Sequence, residues 1–197
     1  SGDADLELKR VFTGVEIENY GFLNLLRQSE SDKRKWIQDH ADCGNLELAG
    51  YTIQPLSGDE VPRTGYDVRG LLRGFASTST GRLFLTPCRF SNIFDIKLTA
   101  KERMSPIVVR YPYTQEDSIL ISMPEGYRVE GRIFPVSLTT PYGSYNMKVS
   151  EEGGKLRIKR SFCLKAGTFP KTDYDKFKDF ITKVQLADRS RLVLVKN

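Results

Sequence analysis

The 197-residue chain has a single histidine, His40, and only three cysteines, Cys43, Cys88 and Cys163. Thiol or hydroxyl catalysis needs a base to take the nucleophile's proton and a third group to orient that base. One position alone can supply the imidazole here. The cysteines lie far apart without a CxxC spacing, so neither a zinc cluster nor a disulfide framework is expected. Long apolar runs are missing as well. Stretches such as Leu192 to Val195 fall far short of the roughly 20 residues a membrane helix needs, so no transmembrane segment is expected. A glycine-rich phosphate loop is lacking too, since Gly153-Gly154 stands between two strand-like runs rather than between a strand and a helix. Carboxylates recur at no spacing that argues for an acid–base dyad or a metal cage. Glu116-Asp117 and Glu151-Glu152 read as solvated turn residues. No catalytic, cofactor-binding or metal-ligating residue is therefore expected. The chain opens Ser1-Gly2-Asp3 without an initiator methionine or an apolar signal core, which reads as a processed chain or an excised segment.

What the chain does have is enough apolar material for a core. Hydrophobic residues make up 39% and charged residues 28%, a balance that separates folded domains from disordered chains. Thirty Lys and Arg against 25 Asp and Glu leave a net charge of +5. That surplus suits a weakly anionic partner, but it is modest for a nucleic-acid binder, and the aromatic and basic signatures of RNA-binding sheets are missing, so no nucleic-acid partner is expected.

Residues 5 to 13 alternate, with Leu6, Leu8 and Val11 inward, the period of a half-buried strand. From Val15 to Arg27 the apolar residues are too dense for alternation and predict a short helix weakened by Gly21. A second helix follows, capped within Ser29-Glu30-Ser31-Asp32, buried through Trp36 and Ile37, and stopped at Gly44. Strands are predicted near 46–54, 65–73, 81–86, 117–123, 127–133, 144–150 and 155–164, with loops at 57–64 and 99–106. Thr172-Asp173-Tyr174-Asp175 has the form of a capping box, and Tyr174, Phe177, Phe180, Ile181 and Val184 make one helical stripe. Arg191 to Lys196 reads as a strand closing the sheet. The expected fold is mainly β: a β-sandwich with a short helical pair near the N-terminus and one amphipathic helix near the C-terminus. Residues 1–105 form an α+β segment, and 106–197 a β-sandwich accessory domain, with the two halves belonging to one domain or dividing near residue 105.

Between the alternating runs 144–150 and 155–164, a four-residue loop Glu151 to Gly154 pairs residue 150 with 155. Val149 then faces Leu156 and Met147 faces Ile158, while the opposite face carries Asn146, Lys148, Arg157 and Lys159. Lys148 opposite Arg157 is a like-charge pair that something must offset. A neighbouring carboxylate or solvent would do so, and so would an anionic partner such as an acidic protein surface or a glycan. Lys148, Arg157 and Lys159 are thus the candidate contact residues. His40 and Cys43, three apart near a helix end, are the only imidazole and thiol that spacing brings together; Cys88, after Pro87, and Cys163, on the outer hairpin face, read as structural or incidental thiols.

A series of motifs runs through Pro106, Arg110-Tyr111-Pro112, Met123-Pro124-Glu125-Gly126-Tyr127, Pro135, Gly143 and Tyr145, then the strand from Leu156 to Arg160, then Tyr174, Phe177, Phe180 and Ala187-Asp188. In this order they resemble the C-terminal accessory domain, of unknown function, of bacterial transglutaminase-like proteins. The earlier half is more loosely similar to the segment that joins the enzyme core to that domain. The resemblance implies a β-sandwich module that follows a transglutaminase-like core in an exported, periplasmic protein. The core's Cys, His, Asp order is not found here, so its activity is not carried over. Three functions follow as expectations: a non-catalytic accessory domain that packs against or positions the enzyme core, an anion- or glycan-binding module using the basic hairpin, and a small cysteine enzyme built on His40.

Overall fold

A computed structural model of the chain describes residues 2–19, 21–41, 45–58, 60–88, 96–131 and 134–196. In chain order the elements are β1 (Ala4–Gly14), α1 (Glu16–Asn19), α2 (Phe22–Leu25), α3 (Glu30–His40), β2 (Leu46–Ser57), β3 (Arg63–Leu72), β4 (Ser77–Ser79), β5 (Arg82–Leu85) and β6 (Ile107–Val109). They continue with β7 (Tyr113–Ser122), β8 (Tyr127–Val129), β9 (Val136–Thr140), β10 (Gly143–Glu152), β11 (Lys155–Leu164), β12 (Gly167–Phe169), α4 (Tyr174–Asp188) and β13 (Leu192–Lys196).

Seven strands form one antiparallel sheet in the order β2-β3-β1-β7-β11-β10-β9. A smaller sheet, β4-β5-β13-β8, lies opposite, and β12 pairs with β6. The fold is mainly β and sandwich-like. Period-two alternation sends Leu6, Leu8 and Phe12 of β1, Ile119 and Ile121 of β7, and Leu156, Ile158 and Phe162 of β11 to one buried face. Over β10 and β11 that face is covered by α4, whose Phe180 ring stacks on Phe162 and whose Phe177 meets Tyr142 edge-on. Over β1 and β3 it is covered by the first helices, where Phe22 contacts Phe12, Tyr66 and Trp36. At the remaining end, Leu83, Leu85 and Leu194 of the smaller sheet line a hollow together with Ile121. None of the described helices is long and apolar enough to cross a membrane.

The α4 stripe is buried as its 3.6-residue period requires, through Tyr174, Phe177, Phe180, Ile181 and Val184. Its expected capping box does not form. Asp173 makes no side-chain cap, and a 3-10 turn at Lys171–Asp173 leads in instead. Ser29 does cap α3, its Oγ accepting from the Asp32 amide at 3.2 Å. The single helix expected from Val15 to Arg27 is two one-turn helices, because Gly21 adopts a left-handed φ of 65° between them. The stop at Gly44 falls outside the described residues. At the C-terminus, β13 closes the smaller sheet, pairing with β5 and β8. On either side of residue 105 the chain is interleaved in the large sheet, with β1 lying between β3 and β7.

The β10–β11 hairpin corrects the expected register. Gly153 and Gly154 have φ of 57° and 74°, the left-handed pair of a type I′ turn, so a two-residue loop suffices. Glu152 therefore faces Lys155, Val149 faces Ile158, and Met147 faces Arg160. A slip of two residues leaves every side chain on its expected face and changes every partner. A Cβ at Gly153 meets nothing within 4 Å, and asparagine tolerates the left-handed region. Gly153→Asn is accordingly expected to raise stability by about 0.4–1 kcal/mol by restricting the unfolded chain. Urea titration at unchanged m-value checks this, and a lower midpoint would contradict the turn assignment.

Candidate binding face and the ion network behind it

The buried face of the sheet is not wholly apolar. Directly across five neighbouring strands stand Tyr66, Arg10, Asp117, Arg160 and Met147. Arg10 Nε donates to Asp117 Oδ1 at 2.7 Å, and Arg160 Nη1 donates to Asp117 Oδ2 at 2.9 Å and to Gln115 Oε1 at 3.0 Å. From α4, Asp188 closes the network. Arg160 Nε and Nη2 donate to its two oxygens at 2.8 and 2.9 Å, and the Tyr145 hydroxyl donates to it at 2.6 Å. Two guanidinium groups thus meet two carboxylates, all of them buried. Burial by itself pulls the Arg160 pKa down, but Asp117 and then Asp188 overcome it and hold it above the usual arginine value. Burial, followed by the charge and hydrogen bond of Asp188, pushes the Tyr145 hydroxyl up. The forked Arg160–Asp188 pair locks the end of α4 to the sheet, and its groups are turned toward each other.

Composition-based reading missed this network. Asp117, expected in a solvated turn, lies inside β7 and is buried, whereas its neighbour Glu116 is exposed. In β1 the inward residues are Leu6, Leu8, Arg10 and Phe12, and Val11 points to the other face. The signal was one of phase. Arg10 sits between Leu8 and Phe12, Arg160 between Ile158 and Phe162, and Asp188 four residues beyond Val184, all on the buried stripe of their elements.

The outer face of the large sheet carries the expected contact residues. The register places Asp67, Lys9, Ser118, Lys159 and Lys148 in one row across β3, β1, β7, β11 and β10. Lys148 therefore opposes Lys159, not Arg157, whose partner is Ser150. The like-charge pair remains, between two lysines. In the adjoining row lie Val11, Glu116, Ser161, Asn146 and Ser137. Short residues framed by long ones leave an open hollow of about 460 Å³, which Lys9, Lys148 and Lys159 line together with Glu116, Ser118 and Ser161. Arg157 lines a neighbouring hollow of about 400 Å³ with Glu7, Asp67 and Arg69. The structure thus brings Lys148 and Lys159 together, adds Lys9, which sequence reasoning overlooked, and sets Arg157 beside them.

The imidazole and two of the three thiols lie among the described residues. His40 stacks on Trp36 with centroids 4.4 Å apart, and its Nδ1 donates to the Trp36 carbonyl at 2.9 Å. Cys43 lies outside the described residues. Cys163 is half-buried on the outer face, whereas Cys88 is buried with its Sγ 3.5 Å from Met147 Sδ. Burial above all, then the nearby Asp188 carboxylate, pushes the Cys88 thiol up. The thiolate is the reactive form, so Cys88 is expected to resist iodoacetamide at neutral pH until the chain is unfolded. Peptide mass mapping of native and denatured samples checks this, and fast native labelling of Cys88 would overturn its placement. Among the described residues, no three His, Cys, Asp or Glu side chains cluster so as to hold a metal ion.

Fold and site together define a sandwich-like antiparallel domain with an ionic network locked inside and one open, lysine-framed sheet face. The chain belongs to DUF3858, a family of domains of unknown function, whose model matches residues 81–194. That stretch runs from the start of β5 to β13 and contains Asp117, Lys148, Lys159, Arg160 and Asp188, while Lys9 and Arg10 precede it. No curated protein and no solved structure matches the chain.

Proposed function

We propose that this chain is a non-catalytic accessory domain that docks a protein partner on the outer face of its seven-stranded sheet. The observation that carries the reading is the row Lys9, Lys159 and Lys148 around an open hollow, set against ionisable groups on the other face that are engaged with one another. On the motif resemblance, the partner is a transglutaminase-like core that precedes the domain in an exported, periplasmic protein. A free anion or a glycan held by Lys148, Lys159 and Arg157 is the competing reading, and the same row of cations favours it. A cysteine enzyme has less support, since His40 lies against Trp36 and Cys88 is buried.

Calorimetric titration of the transglutaminase-like core into the isolated chain tests the proposal. Saturable binding is expected, weakened in Lys148→Glu; no heat at about 100 μM of each partner would overturn the docking reading. The same variant carries a second expectation. Glutamate at 148 faces Lys159 and turns a like-charge pair into an opposite one, so the variant should be about 0.2–1 kcal/mol more stable while docking less well. Thermal unfolding beside the titration checks both, and a loss of stability would mean that Lys148 is already paired.

A further inference from the structure

We infer that the lysine-framed hollow selects an extended acidic peptide segment with an apolar side chain at one end. The inference rests on the docking reading and names the chemistry the docked partner presents. Of the six charged residues that line the hollow, Asp117 and Arg160 turn their side chains into the buried network, which leaves Lys9, Lys148, Lys159 and Glu116 facing it. Lys9 has a long contact with Asp67, 3.9 Å between half-exposed groups, and such pairs contribute little. Lys148 and Lys159 stand opposite each other and have no ion pair among the described residues. An anion laid between them removes their repulsion as well as adding attraction, whereas Glu116 sets a limit on how much negative charge fits.

Shape argues for a chain segment. The hollow is open along one side, so it covers one face of a ligand, while small-molecule sites enclose most of theirs. Its floor is short, with Ser118, Ser137 and Ser161 beside Val11. Ammonium groups only donate hydrogen bonds, which suits carboxylates better than the mixed donors and acceptors of a neutral glycan. Three strand spacings separate Lys9 from Lys148, about 14 Å, and an extended peptide carries same-side residues i and i+4 about 13 Å apart, with i+2 between them. Glutamates at the two ends of such a stretch therefore reach Lys9 and Lys148, and the one at i+2 falls between Ser118 and Lys159. At the β9 end the wall is Pro135, and the adjoining Phe134 is 72% exposed; this is where an apolar side chain of the segment finds contact.

The test uses the isolated chain and a fluorescein-labelled peptide with three alternating glutamates and a terminal leucine, followed by polarisation, with amide chemical shifts mapping the contact. The joint variant Lys148→Gln/Lys159→Gln is expected to weaken binding about three- to tenfold, as loss of two exposed ion pairs implies. Lys176→Gln/Lys183→Gln on α4, which removes equal charge elsewhere, should leave it unchanged. Shifts should cluster on outer-face residues of β1, β7, β10 and β11. Equal weakening by the α4 variant, undiminished binding of the glutamine version of the peptide, or tighter binding of an oligouronate or oligothymidylate of the same charge each overturns the inference. Should the enzyme core bind while the peptide does not, docking stands and acidic-segment recognition falls; the reverse pattern removes the proposed partner and leaves the recognition chemistry.

Discussion

Arg160→Met is expected to cost about 3–5 kcal/mol, enough to unfold a domain of ordinary stability or leave it marginal. The substitution removes the forked partner of Asp188 and one of the two guanidinium groups on Asp117. Arg10 still holds Asp117 at 2.7 Å, so the uncompensated charge falls mainly on Asp188, which is fully buried. Pairing the change with Asp188→Asn removes that charge and should recover much of the loss, because an asparagine can still accept from the Tyr145 hydroxyl. Chemical denaturation of the two single variants and the double variant closes the cycle. If Arg160→Met costs under about 1 kcal/mol, the arginine is solvated and the network is not the lock described above.

A second large effect is expected at Ile158. It lies in a row with Leu8, Ile119 and Val149, all apolar, and is fully buried. An aspartate there has no cation directly opposite, and Arg160, two residues along the same face, is already taken by Asp117 and Asp188, so the change should cost over about 4 kcal/mol, seen as loss of the cooperative unfolding transition or as aggregation. Met147→Asp is expected to do less harm, since Met147 is directly opposite Arg160 and a new carboxylate would join an existing ionic group. The difference between the two variants reports on register. Had Met147 faced Ile158, as a four-residue hairpin loop would require, both substitutions would enter one apolar pair and fail alike.

Which face each hairpin residue takes was legible from sequence because alternation survives a two-residue slip; which residue it faces was not, because that depends on how many residues the turn consumes. Glu151 and Glu152 look like loop residues by composition, yet Gly153 and Gly154 turn the chain without them. The α4 stripe was legible for a similar reason. Five large apolar residues at helical spacing outweigh one buried aspartate. The ion network was hidden because an arginine or aspartate in an inward phase counts as polar wherever it stands. Only the pairing of β1 with β7 and of β7 with β11 shows that Arg10, Asp117 and Arg160 are neighbours. The candidate face was half visible. Lys148 and Lys159 come from adjoining strands of one hairpin, but Lys9 arrives from a strand about 140 residues earlier, a separation no local pattern spans.

The position of β1 also has a consequence in time. Its partner β7 lies far along the chain, Arg10 and Asp117 being 107 positions apart. At ribosomal rates of about 5–20 residues per second, β1 waits roughly 5–20 s for that partner. During the wait β3 can cover one edge of β1, and the other stays open to any strand that comes near. An inward-pointing charge on such an edge is one of the devices that discourages mispairing. Arg10, a desolvation burden in the finished core, is thus a guard on the unfinished one: a wrong strand that buries it must bring a carboxylate, and within this sheet β7 brings Asp117.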